Sequence, residues 1–167
     1  MTNNITLNQL VKIFNDFTVR HYQLKTFYYG DVYKIDTIKD IQYPLLGVFQ
    51  GNVSLNKTNE YVRSMSYGFN IIVGDILKND DTNEQELRSD TLQIIADFVA
   101  EINQDPFYQS NNILIETTSV CEPFTEKLND IITGWMVTVT ITVPFHYTPC
   151  TAPSEDKTLS ELIGNCE

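Results

Sequence analysis

The chain has 167 residues, 42% of them hydrophobic and 20% charged, with a formal net charge of −11. That length and balance suit one domain with a packed core and exclude disorder over most of the chain. The acidity removes any overall attraction to nucleic acid, because the 11 Lys and Arg are scattered singly rather than clustered along a phosphate path.

In chain order, Met1-Thr2-Asn3-Asn4-Ile5-Thr6 lacks a basic region followed by an apolar stretch, so no secretory signal is expected. No run is long enough to span a bilayer. Thr6-Leu7-Asn8-Gln9 has the pattern of a capping box. Leu7, Leu10, Val11, Phe14 and Phe17 follow at helical spacing and predict an amphipathic helix over Leu7–Thr18. Thr26-Phe27-Tyr28-Tyr29 predicts a short strand stopped by Gly30-Asp31. Pro44, which lacks a donor, suits the start of the next strand.

Leu45–Leu55 and Glu60–Ile72 predict a long β-hairpin around the polar turn cluster Asn56-Lys57-Thr58-Asn59. Gly47, Gly51 and Gly68 predict bulges or a close backbone approach. Asp75, Asp80, Asp81, Glu84 and Glu86 make the next stretch acidic, and Thr82-Asn83-Glu84-Gln85 repeats the capping-box pattern. Leu87, Thr91, Ile94, Ile95, Phe98, Val99 and Ile102 then predict a second helix over Asn83–Asn103, ended by Asp105-Pro106.

Asn112–Val120 predicts a strand, broken by Cys121-Glu122-Pro123-Phe124. From Gly134 to Phe145, Trp135, Val137, Val139, Ile141, Val143 and Phe145 alternate with Thr138, Thr140 and Thr142, the pattern of a long strand with one packed face. Residues 1–147 thus read as one α+β domain, a mostly antiparallel sheet with a long hairpin and two helices on one face. Residues 148–167 read as a C-terminal arm closing with Leu159, Leu162 and Ile163.

The residues offer little chemistry. His21 and His146 are the only histidines, and a His146/Cys150 pair lacks an oxyanion hole and a third group, so no catalytic residue is assigned. Asp75, Asp80, Asp81 and Glu84 lack the glycine and spacing of a calcium loop; acidic residues before a helix favour its dipole instead. Cys121, Cys150 and Cys166 have no C-x-x-C spacing, which argues against a zinc site and a disulfide scaffold. A Cys121–Cys150 bridge and reduced thiols both fit, with reduced thiols the expectation. No glycine-rich phosphate loop is present, and no cofactor or metal is expected. Asn56, Lys57, Thr58 and Asn59 read either as a finger to another subunit or as a free loop.

The element order resembles that of bacteriophage tail-terminator and tail-completion proteins. The block Pro123-Phe124-Thr125-Glu126, Gly134-Trp135, Val143-Pro144-Phe145 and Cys150 resembles the C-terminal block of virion proteins from crAss-like phages of gut Bacteroidota. The resemblance implies a structural ring in the head–tail connector or tail, assembled in the bacterial cytoplasm and carried in the virion. It implies no catalytic residues, no membrane, and six or twelve copies beside a portal and other tail proteins. DNA would pass through the lumen without specific binding. On that view Asn56, Lys57, Thr58, Asn59, Leu159, Leu162 and Ile163 are candidate interface residues. Asp75, Asp80, Asp81 and Glu84 are then a candidate lumen or rim. The alternative is a monomeric binding module using its Tyr-rich strands; a small hydrolase has almost no support.

Overall fold

The computed structural model describes residues 5–31, 34–35, 41–58, 61–117, 120–127 and 130–145, with the backbone alone at 58 and 61–63. The domain is α+β. Helix α1 (Leu7–Arg20) opens with the expected box: Gln9 N–H donates to Thr6 Oγ1 while Thr6 N–H donates to Gln9 Oε1. It runs two residues beyond the expected end. Strand β1 (Thr26–Gly30) pairs with the start of β2 (Leu45–Thr58), and this pairing is parallel. All other pairings are antiparallel: β2 with β3 (Tyr61–Ile76), β3 with β6 (Ile131–Pro144), and β6 with β4 (Leu114–Thr117) and β5 (Glu122–Lys127). The sheet order is β1-β2-β3-β6-β4, with β5 also on β6.

Helices α1 and α2 (Glu84–Gln104) cover one face. Phe14 is their shared anchor, 5.1 Å edge-on from Phe69 of β3 and 5.4 Å stacked on Phe98 of α2. The alternation in β6 holds. Val137, Val139, Ile141 and Val143 are buried in this core, while Thr138, Thr140 and Thr142 are half-buried on the other face. Behind the sheet, Ile35, Leu45, Ile72 and Ile132 are also buried, so the inner part of the sheet is apolar on both sides. Gly134 is required there: a Cβ would lie 1.9 Å from Val73 O, where β3 and β6 close together.

Several expectations need correction. The polar cluster is not simply a turn, because Asn56, Lys57 and Thr58 continue β2; Asn59 lies outside the described residues. Neither is Thr82-Asn83-Glu84-Gln85 a capping box. Asn83 is the N-cap, but its side chain accepts from Lys78 N–H and donates to Ile76 O, closing the preceding loop instead. β4 ends before Cys121-Glu122-Pro123-Phe124, but most of that segment belongs to a further strand that was not expected, β5 over Glu122–Lys127. Its Pro123 is tolerated because β5 is exposed and, among the described residues, borders only β6. The strand expected over Asn112–Val120 shrinks to Leu114–Thr117 after a third helix, α3 (Pro106–Ser110), capped by Asp105 Oδ1 accepting from Phe107 N–H. Among the described residues, no helix is long and apolar enough to cross a membrane. The arm at 148–167 lies outside the described residues.

Candidate subunit interface

The hairpin changes character where β1 ends. β1 reaches only Phe49 of β2, so from Gly51 to Thr58 β2 has β3 on one side and no strand on the other among the described residues. At that point Gly51 and Asn52 together oppose Gly68, a bulge of the kind the glycines predicted. A Cβ on Gly51 would come within 3.0 Å of Gly68 O, so the close approach needs glycine. Gln50 laces the bulge: its Nε2 donates to Gly51 O at 3.2 Å, and its Oε1 accepts from the Tyr29 hydroxyl at 3.1 Å. A second shift follows between Asn56 and Lys57, which oppose Ser64 and Val62.

Beyond the bulge the two faces differ. Val53 and Leu55 continue the helix-facing alternation opposite Tyr67 and Met65, yet they are 44% and 56% exposed. The other face is polar and internally satisfied. Asn56 Nδ2 donates to Ser64 Oγ at 3.2 Å and Ser66 Oγ at 2.7 Å, and the Ser66 and Thr142 hydroxyls share a bond of 2.7 Å. Thr138 Oγ1 donates to Asn70 Oδ1 at 3.0 Å. Asn56 is therefore occupied within the sheet. Lys57 and Thr58 lie at the outer end of the open edge, while Asn59, Leu159, Leu162 and Ile163 lie outside the described residues. Sequence reasoning missed Val53 and Leu55. Strict alternation from Leu46 and Val48 would put them on the other face, the bulge turns them to the helix side, and nothing in the pattern says where the helices stop.

The candidate acidic residues do not form one site. Asp75 is the next-to-last residue of β3 and lies opposite Thr133. Burial raises its pKa; the Ile76 N–H bond opposes that shift, and neighbouring Asp90 adds to it. Asp80 has a lowered pKa because the Thr82 hydroxyl and N–H both donate to its carboxylate. Asp81 takes φ 55° in the turn closed by its N–H to Lys78 O, a conformation that Asp tolerates. Glu84 pairs with Arg88 at 2.7 Å. Arg88 in turn joins helix to sheet: Trp135 Nε1 donates to its carbonyl at 2.7 Å. Among the described residues, no cluster of three His, Cys, Asp or Glu could hold a metal.

His21 is engaged structurally. Its Nδ1 accepts from Gln23 N–H, so the proton sits on Nε2 and faces Asp97 Oδ2 at 3.4 Å, while the ring packs on Phe17. His146 and Cys150 lie outside the described residues. Two hollows remain. One of ≈ 560 Å³ lies behind the sheet, with Phe49, Ile72, Phe124 and Met136 in its wall. The other, of ≈ 580 Å³, lies between α1 and α3. No protein-family model and no curated protein matches this chain.

Proposed function

We propose that this chain is a structural protein of a phage virion, forming an oligomeric ring in the head–tail connector or tail through which DNA passes. The observation that supports it most is the outer half of β2, a strand edge open among the described residues and carrying exposed Val53 and Leu55. An open edge offers backbone donors and acceptors to another chain, and the two apolar side chains add contact area. Repeated head to tail, such a contact closes into a ring when its rotation permits. The net charge of −11 suits a lumen that repels phosphates and lets DNA slide. The resemblance carried by Pro123-Phe124, Gly134-Trp135 and Val143-Pro144-Phe145 gives the reading its virion context.

Light scattering on the purified protein tests assembly. Six or twelve copies are expected, alone or with neighbouring virion proteins; a mass of one subunit under both conditions contradicts it. For the lumen, replacing Asp80, Asp81 and Glu84 with Lys should slow DNA ejection without blocking assembly. Normal ejection from such virions would count against that placement.

A second reading, a monomeric binding module, draws on the apolar hollow walled by Phe49, Ile72, Phe124 and Met136. Its size is in the range of small-molecule sites. Binding of an apolar fluorescent probe, lost on Met136→Asp, with one-subunit mass at every concentration, would favour it.

A further inference from the structure

Among the described residues the sheet is open on both flanks. On one, β2 from Gly51 to Thr58 has no strand beyond it; on the other, β4 and β5 lie end to end along β6 with none beyond them. β4 and β5 differ as edges. β5 carries Glu122, Pro123, Glu126 and Lys127, the charges and proline that keep an edge from pairing with another chain. β4, Leu114-Ile115-Glu116-Thr117, has one charge and no proline, and its Leu114 is 54% exposed. Outer β2 likewise has no proline and one charge, Lys57, opposite in sign to Glu116.

These two unguarded edges stand at the same height in the sheet. Ser54 lies opposite Ser66, Ser66 opposite Thr142, and Thr142 opposite Leu114. The adjacent row runs Val53, Tyr67, Ile141 and Ile115. Each row therefore starts on outer β2 and ends on β4. Their directions also match. The three pairings from β2 through β3 and β6 to β4 are all antiparallel, so β4 runs opposite to β2. A second copy, turned about an axis along the strands, brings its β4 beside this β2 as an antiparallel neighbour without any rise. A ring closes only when its contact adds no rise from copy to copy. The faces agree as well. Tyr67 and Ile141 belong to the helix-side core, and Ile115 packs against it, so Val53 and Ile115 are the two ends of an apolar row. A slip of one residue would set that row against a polar one, which fixes the register.

We propose that the outer half of β2 in one copy pairs with β4 of the next, Val53 beside Ile115 and Ser54 beside Leu114, joining the sheets into one belt. This rests on the ring reading above and names the surface that the β2 edge meets. The cross-strand pair takes Val53 out of water, and the strand backbones satisfy one another.

A cysteine pair tests it, in the full-length chain with Cys121, Cys150 and Cys166 replaced by Ser. Ser54 and Leu114 of one copy are separated by three strand spacings, about 14 Å, too far for a disulfide within the chain. Both side chains are exposed, so the substitutions leave the core intact. Oxidised S54C/L114C should give a covalent ladder up to the size of the ring on a denaturing gel without reductant. S54C or L114C alone should give nothing beyond a dimer. Hydrogen exchange on wild type gives a second measure: assembly should slow exchange about tenfold in both residues 51–56 and Leu114–Thr117. A ring that S54C/L114C does not link, or one in which Leu114–Thr117 exchanges as in the single subunit, would overturn this pairing and leave the ring. A wild-type chain that stays at one subunit, alone and with neighbouring virion proteins, would overturn the ring reading and this pairing with it.

Discussion

At Gln50 and Phe69 the β2–β3 ladder lies between two layers, with Phe14 of α1 on one side and the cluster of Ile35, Ile72 and Ile132 on the other. A few residues along β2, at Val53 and Leu55, the bulge has intervened, β1 has ended and apolar side chains meet solvent. Both halves share strand pairing and alternation. They differ in what covers them. Alternation sets which side chains share a face, whereas the reach of the helices and of β1 decides whether that face is finished within one chain.

The largest expected effect belongs to the covered half. Phe69→Ala removes a fully buried ring in contact with Phe14 and should cost about 3–5 kcal/mol in urea unfolding. A cost below about 1 kcal/mol would mean the inner half is not the packed core. Thr6→Ala should cost about 1 kcal/mol, because it opens the capping box of the helix that covers that half.

A smaller effect, set by pH, lies at the inner end of β3. Burial holds the Asp75 carboxyl above its ordinary 3.8, so the fold favours its neutral form. Its contribution is present in full below that ordinary value and is lost as pH rises through the folded one. Asp75→Asn keeps an oxygen to accept from Ile76 N–H. Its stability relative to wild type should therefore improve as pH rises from the acid side of 3.8 toward neutrality. A difference that does not vary with pH would contradict the burial argument. The smallest effect is expected on the uncovered half. Leu55→Asp should leave subunit stability within about 0.5 kcal/mol, since its side chain is already more than half in water.

What was legible in the sequence follows the same division. The alternation of β6 and the apolar stripe of α2 were readable because each is a long periodic pattern against one continuous core. The Thr6–Gln9 box was readable because its partners are three residues apart. β5 was hidden by Pro123 and its charges, which an exposed strand tolerates and a central one does not. α3 was hidden by brevity, although Asp105-Pro106 is a helix-start pair as well as a stop. The parallel pairing of β1 with β2 depends on a connection through residues 31–44, whose composition does not encode direction. At the candidate interface, the polar residues Asn56 and Lys57 drew the eye to the tip. The exposed apolar pair was concealed inside a pattern that elsewhere means core.

The central claim is that the open edge of β2 joins copies of this chain. Native mass spectrometry of wild type and Leu55→Asp across a range of concentrations tests it most directly. The account predicts a discrete six- or twelvefold species for wild type and a folded 19.2 kDa subunit for the variant. A wild-type monomer at every concentration, both alone and with neighbouring virion proteins, or an identical ring formed by both proteins, would contradict it.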